Sequence, residues 1–219
     1  MGPDGSGVFG RRAVRDDEQV TAWALAARFG DPVATESFVR GTLRDVRRYV
    51  THLSGDARAT DDLVQDTYLR ALRGLPGFQG RSPARVWLLA IARRVVADRF
   101  RAASSRPRMA DVEDWQSAVE GEQPCGLPGF EEGVALSELL AALPADRREA
   151  FVLTQLLGLP YAEAAAVTGC PVGTVRSRVA RARGTLIDLL GAAESDGRPG
   201  PHREGGAAAE APSLAGPRV

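Results

Sequence analysis

The chain has 219 residues, with 28 basic and 28 acidic side chains and therefore no formal net charge. Every basic residue is an arginine, and the two cysteines, Cys125 and Cys170, do not form a CxxC pair, so neither a disulfide framework nor a metal-binding cysteine site is expected. No apolar run approaches the ~18 residues that mark a membrane-spanning helix. His52 and His202 are isolated from any nucleophile or carboxylate pattern. We therefore expect a cytoplasmic protein without catalytic residues, metal or cofactor.

The zero net charge hides a strong segregation of charges along the chain. Residues 81–108 contain eight arginines against the single acid Asp98, whereas residues 111–140 contain eight acids and no base. Because only local patches of one sign attract or repel phosphate, this distribution tells more than the sum. It predicts a basic nucleic-acid surface followed by a separate acidic segment.

Apolar residues recur at helical spacing along most of the chain, and no strand pattern is present. The prediction is an all-α protein with two small helical domains joined by a flexible acidic linker. The predicted segments are a disordered N-terminus at 1–15, a first domain at 16–104, the linker at 105–131, a second domain at 132–190 and a disordered tail at 191–219. Helices are expected near 16–28, 33–53, 61–75, 83–101, 132–143, 146–157, 161–168 and 172–190. For the second helix, the predicted core face consists of Phe38, Leu43, Val46 and Val50.

The third predicted helix, DDLVQDTYLRAL, has one leucine on the side that is predicted to be exposed. The residues expected in its buried face are Leu63, Val64, Thr67, Tyr68, Ala71 and Leu72. Asp62, Gln65 and Asp66 should be exposed, and Leu69 falls among them. This pattern fits a protein-binding surface, and it equally fits a single exposed leucine without a function.

The fourth predicted helix combines arginines with a tryptophan at the edge of its core face. Its core face should contain Trp87, Leu88, Ile91, Ala92, Val95, Val96 and Phe100, and its outer face Ala90, Arg93, Arg94, Ala97 and Arg101. Arginines beside an aromatic suit contacts to the phosphate backbone together with stacking on an unpaired base. Packing in the core is the competing interpretation for Trp87.

Residues 160–184 form the pattern of a helix-turn-helix. Its second helix places Val175, Val179, Ala182 and Leu186 on one stripe. Opposite this stripe lie Ser177, Ala180 and Gly184, flanked on one side by Thr174, Arg178 and Arg181 and on the other by Arg176 and Arg183. A helix that is small at the centre of its outer face and cationic at the sides is suited to the major groove of DNA.

Three segments, in this order, resemble one known family. They are DDLVQDTYLRAL, FQGRSPARVWLLAIARRVVADRFR and LLGLPYAEAAAVTGCPVGTVRSRVARAR. Together they resemble the two domains of RNA polymerase sigma factors of the extracytoplasmic-function group, over roughly 20–104 and 132–190. The LTQLLGLPYAEAAAV stretch is similar to SigC-like members from GC-rich bacteria.

The resemblance implies a role for each surface. Asp62, Gln65 and Asp66 would contact the clamp helices of the polymerase beta-prime subunit, with Leu69 beside them. Trp87, Arg93, Arg94 and Arg101 would melt and bind the minus-10 promoter element. Arg176, Ser177, Arg178 and Arg181 match positions that contact the minus-35 element, and the helical wheel adds Thr174. Two positions depart from the family pattern, since arginine is frequent at Ala90 and asparagine at Arg94.

The implied function is transcription initiation without catalysis. The implied partners are core RNA polymerase, through its clamp helices and beta flap, promoter DNA in double-stranded and melted form, and an anti-sigma factor, with no membrane. Two alternatives remain at this point. A stand-alone helix-turn-helix regulator would explain residues 160–184 alone, and an interaction module that sequesters an anti-sigma factor would bind partners without starting a transcript.

Overall fold

The computed structural model describes residues 9–56, 58–105 and 130–196, and these residues form an all-helical structure without strands. The predicted disorder at 1–8 and 197–219, and the linker at 106–129, lie outside the described residues. The helices are α1 Phe9–Ala27, α2 Pro32–Ser54, α3 Thr60–Gly74, α4 Ala84–Ser105, α5 Phe130–Ala141, α6 Ala145–Phe151, α7 Tyr161–Thr168 and α8 Val172–Asp196. A 3₁₀ turn at Leu75–Gly77 follows α3, and a π-helical turn at Val152–Leu156 continues α6. The predicted all-α fold is confirmed.

Two helices are longer than the sequence pattern predicted. Helix α1 begins at Phe9 and α8 ends at Asp196, so both helices extend into the segments 1–15 and 191–219 for which the sequence predicts disorder. Both extensions contain arginine, alanine or glutamate, which favour helix even where no apolar stripe is present. None of the described helices is both long and apolar enough to cross a membrane.

Helix α2 is the central element of the first domain and begins and ends with standard caps. The Asp31 carboxylate accepts hydrogen bonds from the backbone N–H groups of Val33 and Ala34, at 2.9 and 3.1 Å. Gly55 ends the helix in the left-handed conformation with a φ of 66°. The buried residues of α2 are Ala34, Phe38, Thr42, Val46, Tyr49 and Val50.

Two leucines and one phenylalanine that the sequence pattern places in the core are exposed in the structure. Leu43, Leu72 and Phe100 are 40%, 37% and 54% exposed. In α2 the buried stripe passes through Thr42 rather than Leu43. Thr42 tolerates burial because its hydroxyl lies 2.7 Å from the Phe38 carbonyl oxygen and 2.8 Å from the Tyr68 hydroxyl. Phe100 lies beyond Val96, the last buried residue among those of α4 whose side chains the structure describes.

The second domain consists of α5 to α8 around a small apolar core. Its most deeply buried side chains include Leu140, Leu153 and Val175. The π-helical turn is closed by the bond from the Leu157 N–H to the Val152 carbonyl, at 2.9 Å. Gly169 ends α7 with a φ of 70°, and its N–H donates to the Ala165 carbonyl at 2.9 Å. This left-handed residue makes the sharp turn that leads into α8.

The two domains pack directly against each other, chiefly through α4 and α7, and their buried residues form one continuous core. We call this packing the closed arrangement. Val86 and Leu89 of α4 are buried although they lie outside the core face predicted for that helix. They lie on the same side of α4 as Arg93, so α4 is buried on a second side as well. The second domain therefore covers part of the helix that the sequence pattern assigns to DNA.

Candidate nucleic-acid interface

Helix α8 presents the face that the sequence predicted. Val175, Val179, Ala182 and Leu186 are all buried, and on the opposite side the described surface contains the exposed residues Ser177, Ala180 and Gly184. The Ser177 hydroxyl donates to the Thr174 carbonyl at 3.0 Å, so it stays close to the helix. Because the side chains on this side are small, the helix backbone can approach the edges of base pairs.

The arginines of α8 differ in how they are held. Arg181 and Arg176 are exposed, and the Arg176 guanidinium carbon lies 5.7 Å from the centre of the Tyr161 ring. Arg178 is only 27% exposed, because its Nε lies 3.1 Å from the Asp146 carboxylate at the start of α6. Thr174 is half-buried. The helical wheel places Arg178 beside the outer face of α8, but it cannot include Asp146, which comes from another helix.

A small cavity lies beside the start of α4. Trp87 packs against Phe78 with ring centroids 5.0 Å apart and planes inclined by 42°. Its indole also lies so close to the α3 terminus that a Cβ added at Gly74 would meet it at 3.2 Å. The cavity has a volume of about 240 Å³, and its lining residues are Gly77, Phe78, Gln79, Arg81, Ser82 and Trp87. Trp87 is therefore compatible with both interpretations given above, core packing and base stacking, because it packs on Phe78 and also forms a wall of a cavity.

The three arginines predicted for the minus-10 element are spread along α4 and differ in their partners. Arg94 is exposed. Arg101 pairs with Asp98, which is also bound by Arg70, and the hydrogen bond from Arg70 lowers the pKa of the Asp98 carboxyl. Arg93 points to the second domain, where its Nε lies 2.8 Å from Glu149. The structure thus brings Trp87 next to a cavity and leaves Arg94 accessible, while Arg93 is paired with Glu149 through its Nε–H.

Glu149 is the centre of the closed arrangement, and the sequence analysis did not identify it. It is buried in α6, and it accepts a hydrogen bond from the Tyr49 hydroxyl at 2.7 Å as well as the one from Arg93. Burial raises the pKa of Tyr49 well above its usual value, and the Glu149 charge raises it further. One signal could have indicated Glu149: it takes the first position of a helical stripe continued by Val152, Leu153 and Leu156.

Two further arginines of the first domain bind main-chain oxygens of the second. Arg48 donates to the carbonyl of Leu156 at 3.5 Å, and Arg85 donates to that of Leu157. Arg85 is itself held by Asp17 and Asp45, with N–O distances of 3.5 and 2.7 Å. These bonds attach the second domain at the end of its π-helical turn.

Helix α3 carries a third surface on the outside of the first domain. Asp62, Gln65 and Asp66 are exposed, as predicted, and Leu69 is 44% exposed beside them. Leu72, one turn further on, adds a second exposed apolar side chain that the sequence pattern had placed in the core. The result is an apolar pair bordered by carboxylates. Within the part of the chain that the structure describes, no group of His, Cys, Asp and Glu residues is arranged to hold a metal ion.

Comparisons with known proteins agree with this two-domain organisation. The family model for region 2 of sigma-70 factors matches residues 38–106, and the model for region 4 matches residues 133–186. The ECF RNA polymerase sigma factor SigC of Mycobacterium tuberculosis is 52% identical over 172 residues, which cover 78% of this chain and 91% of the relative. The sigma factor EcfG of Rhodopseudomonas palustris is 39% identical over 148 residues, covering 66% and 78%.

Solved structures give the same assignment. CnrH in complex with the cytosolic domain of CnrY aligns with a TM-score of 0.61 and 28% identity, covering 80% of this chain and 98% of that one. RpoE of Bartonella quintana, in complex with the anti-sigma factor NepR, aligns with a TM-score of 0.60 and 30% identity, covering 71% and 96%. The chain therefore belongs to the extracytoplasmic-function group of RNA polymerase sigma factors, non-enzymatic proteins that bind core RNA polymerase, recognise promoter DNA and direct transcription initiation.

Proposed function

We propose that three surfaces of this sigma factor divide the work of initiation in the cytoplasm. The outer face of α8, in a domain comprising residues 132–190, reads the minus-35 element. A domain comprising residues 16–104 melts and binds the minus-10 element through helix α4 and the cavity beside Trp87. The acidic face of α3 docks on the beta-prime clamp helices. The observation that carries this proposal is the aromatic-walled cavity at the start of a basic helix.

The cavity suits a single unstacked base. Flipping a base out of a duplex costs a few kcal/mol, and stacking on an aromatic side chain returns roughly 1–3 kcal/mol. Trp87 and Phe78 supply aromatic surface, and Gln79 supplies an amide that can donate to and accept from a base edge. Arg94 lies exposed on the following helix, where its charge reaches the phosphates of the melted strand.

On α8, Arg176 and Arg181 are ready to contact DNA, with Ser177 between them and Thr174 at the edge. Arg178 is held by Asp146 at 3.1 Å, so its role in base recognition requires that DNA compete with this carboxylate. Such competition raises specificity, because only a partner that offers good acceptors releases the arginine.

On α3, Asp62, Gln65 and Asp66 supply polar contacts to a basic partner surface, and Leu69 supplies the apolar centre. Exposed apolar side chains enclosed by polar ones are the usual composition of a protein-binding patch. The beta flap remains the proposed partner of the second domain.

The closed arrangement is proposed as the resting state. The two promoter elements lie about 25 base pairs apart, which is about 85 Å of duplex, whereas in the closed arrangement the two domains touch. The Glu149 carboxylate holds Arg93 through its Nε–H and partly neutralises its charge, which weakens the attraction of Arg93 for phosphate. Binding to both elements therefore requires the second domain to leave α4. The Bartonella relative was solved with an anti-sigma factor, and we propose a partner of that class for this chain.

Run-off transcription with purified core polymerase tests the proposal. Gln79→Ala removes a cavity group without removing packed surface, and Gln19→Ala is the matched control, since Gln19 is an exposed amide on α1. We expect Gln79→Ala to lower promoter melting, seen by permanganate reactivity of unpaired thymines, while upstream binding stays unchanged. Equal melting by Gln79→Ala, Gln19→Ala and the unmodified protein would show that the cavity takes no base.

A further inference from the structure

A second, larger cleft lies between the two domains, next to the cavity at Trp87, with which it shares the lining residues Arg81 and Ser82. Its volume is about 600 Å³, within the ~300–1,000 Å³ of typical small-molecule sites. Helix α1 contributes Ala22 and Leu25, the loop before α4 contributes Gly80 and Pro83, and the second domain contributes Pro160 at the start of α7. The cleft exists only where the two domains meet, and domain interfaces are a preferred location for ligand sites.

The apolar wall of the cleft is closely packed. Gly80 has a φ of 68°, and a Cβ added there would lie 3.4 Å from the Leu25 methyl carbons. The left-handed backbone at Gly80 therefore lets the loop approach Leu25 at a distance that leaves little room for a larger residue. This wall offers apolar surface of fixed shape.

Glu163 lines the cleft from α7, and its carboxylate is incompletely satisfied. Its Oε2 atom is enclosed and has no hydrogen-bond partner among the described residues. Glu163 is the third residue of α7, a position from which glutamate normally accepts a bond from the backbone N–H of the N-cap residue. Here the N-cap is Pro160, which has no N–H. Burial raises the pKa of Glu163, and the Asp17 charge adds to this while Arg85 opposes it.

Two of the other polar groups of the cleft already have partners inside the protein. Asp17 is paired with Arg85. The Thr21 hydroxyl donates to the Asp17 carbonyl at 2.7 Å and accepts from the Ala84 N–H at 3.0 Å. Glu18 and Arg81 also line the cleft, but both are exposed and their charges are opposite. Glu163 is the lining carboxylate that has an enclosed oxygen without a donor, and a cationic donor suits it because its charge is desolvated.

We infer that this cleft binds a small organic cation, whose protonated amine pairs with Glu163 and whose apolar body lies along Ala22 and Leu25. The enclosed Oε2 is out of reach of a ligand, so the amine pairs with the other oxygen, Oε1, and its charge offsets the desolvation of the charge that the two oxygens share. Because both domains form the cleft, the cation binds only the closed arrangement. At a ligand concentration of 100 times Kd, the closed arrangement would gain about 100-fold over the open one. This consequence for transcription rests on the proposed resting state, but the binding itself does not.

The test uses the full chain without polymerase and two probes of similar shape, 3-phenylpropylamine and 3-phenylpropionate. Binding is measured by calorimetry and by the shift of the thermal unfolding midpoint. We expect the amine to bind and to raise the midpoint, and the carboxylate to do neither. Glu163→Gln should weaken amine binding at least tenfold, and Glu138→Gln, which changes an exposed acid on α5, should leave it unchanged.

Equal binding of amine and carboxylate, unchanged binding to Glu163→Gln, or no binding of the amine at millimolar concentration would each overturn the inference. Ala22→Phe fills the cleft from its exposed rim and provides a second variant if Glu163→Gln does not fold. Loss of amine binding in Ala22→Phe supports the site, and retained binding refutes it. None of these measurements depends on promoter recognition, so a negative result leaves the proposed function unaffected.

Discussion

Replacement of Glu149 by glutamine tests the closed arrangement most directly. The carboxylate accepts two hydrogen bonds, from Tyr49 at 2.7 Å and Arg93 at 2.8 Å, and glutamine keeps the acceptor while removing the charge. A hydrogen bond to a charged group contributes about 1.5–3 kcal/mol against about 0.5–1.5 kcal/mol for a neutral one. Two effects reduce the difference: burying a charge is costly, and the Arg93 side chain is 41% exposed to water. We expect Glu149→Gln to destabilise the closed arrangement by about 1–2 kcal/mol, a factor of 5–30.

The assay is binding of a single-stranded oligonucleotide that carries the non-template minus-10 sequence. If only the open arrangement binds it, the apparent Kd is the intrinsic Kd divided by the open fraction. Glu149→Gln should then bind about 5–30-fold more tightly, and small-angle scattering should report a larger radius of gyration. Glu138→Gln is the control and should match the unmodified protein. An unchanged affinity in a Glu149→Gln protein with a normal helical spectrum would refute the reasoning, since the domains would then not be held together by this pair.

Four further outcomes are expected. Arg178→Ala should lower minus-35 binding by about 1–3 kcal/mol in a gel-shift titration if the arginine makes a bidentate base contact, and an unchanged footprint would remove it from the set of reading residues. Asp66→Arg should weaken binding to core polymerase in a fluorescence titration without changing thermal stability, and full affinity would show that the docking surface is misplaced. Burial raises the pKa of the Tyr68 hydroxyl to about 12, above the ~10 of an unfolded chain. The stability that this hydroxyl contributes is therefore present below pH ~10 and is lost as the pH rises towards 12. In Tyr68→Phe, the thermal unfolding midpoint should fall less steeply over this pH range. Burial lowers the pKa of His52, and the charge of Arg48 lowers it further. The stability that the neutral imidazole contributes is present above pH ~6.5 and is lost as the pH falls. In His52→Gln, the thermal unfolding midpoint should fall less steeply on acidification.

The elements that were predictable from sequence are those whose signal is local. The stripe of Val175, Val179, Ala182 and Leu186 repeats at helical spacing after a glycine turn, and all four are buried. Helix α7, Tyr161–Thr168, has the bounds that the sequence predicted. In both cases the residues that determine the structure are neighbours in the chain, so a helical wheel contains the necessary information.

What the sequence could not predict depends on which elements meet in space. Leu89 is fully buried although the wheel of α4 alone places it outside the core face, because α4 packs on the first domain with one side and on the second with another. The pairing of Arg93 with Glu149 joins residues 56 positions apart. The same holds for Arg178 and Asp146, which meet only after α6 and α8 have packed. A prediction that treats each helix separately has no access to such pairs.

The bonds from Arg48 and Arg85 have a consequence for how this protein can change during evolution. Both guanidinium groups bind main-chain carbonyls, of Leu156 and Leu157, rather than side chains. A substitution in that part of the second domain can alter a side chain but leaves the carbonyl acceptor in place. Glu149 is different, since a single base change can remove its carboxylate. Inherited variation in the strength of domain closure should therefore accumulate at the glutamate and in the arginines of the first domain, while the turn that receives those arginines is free to drift.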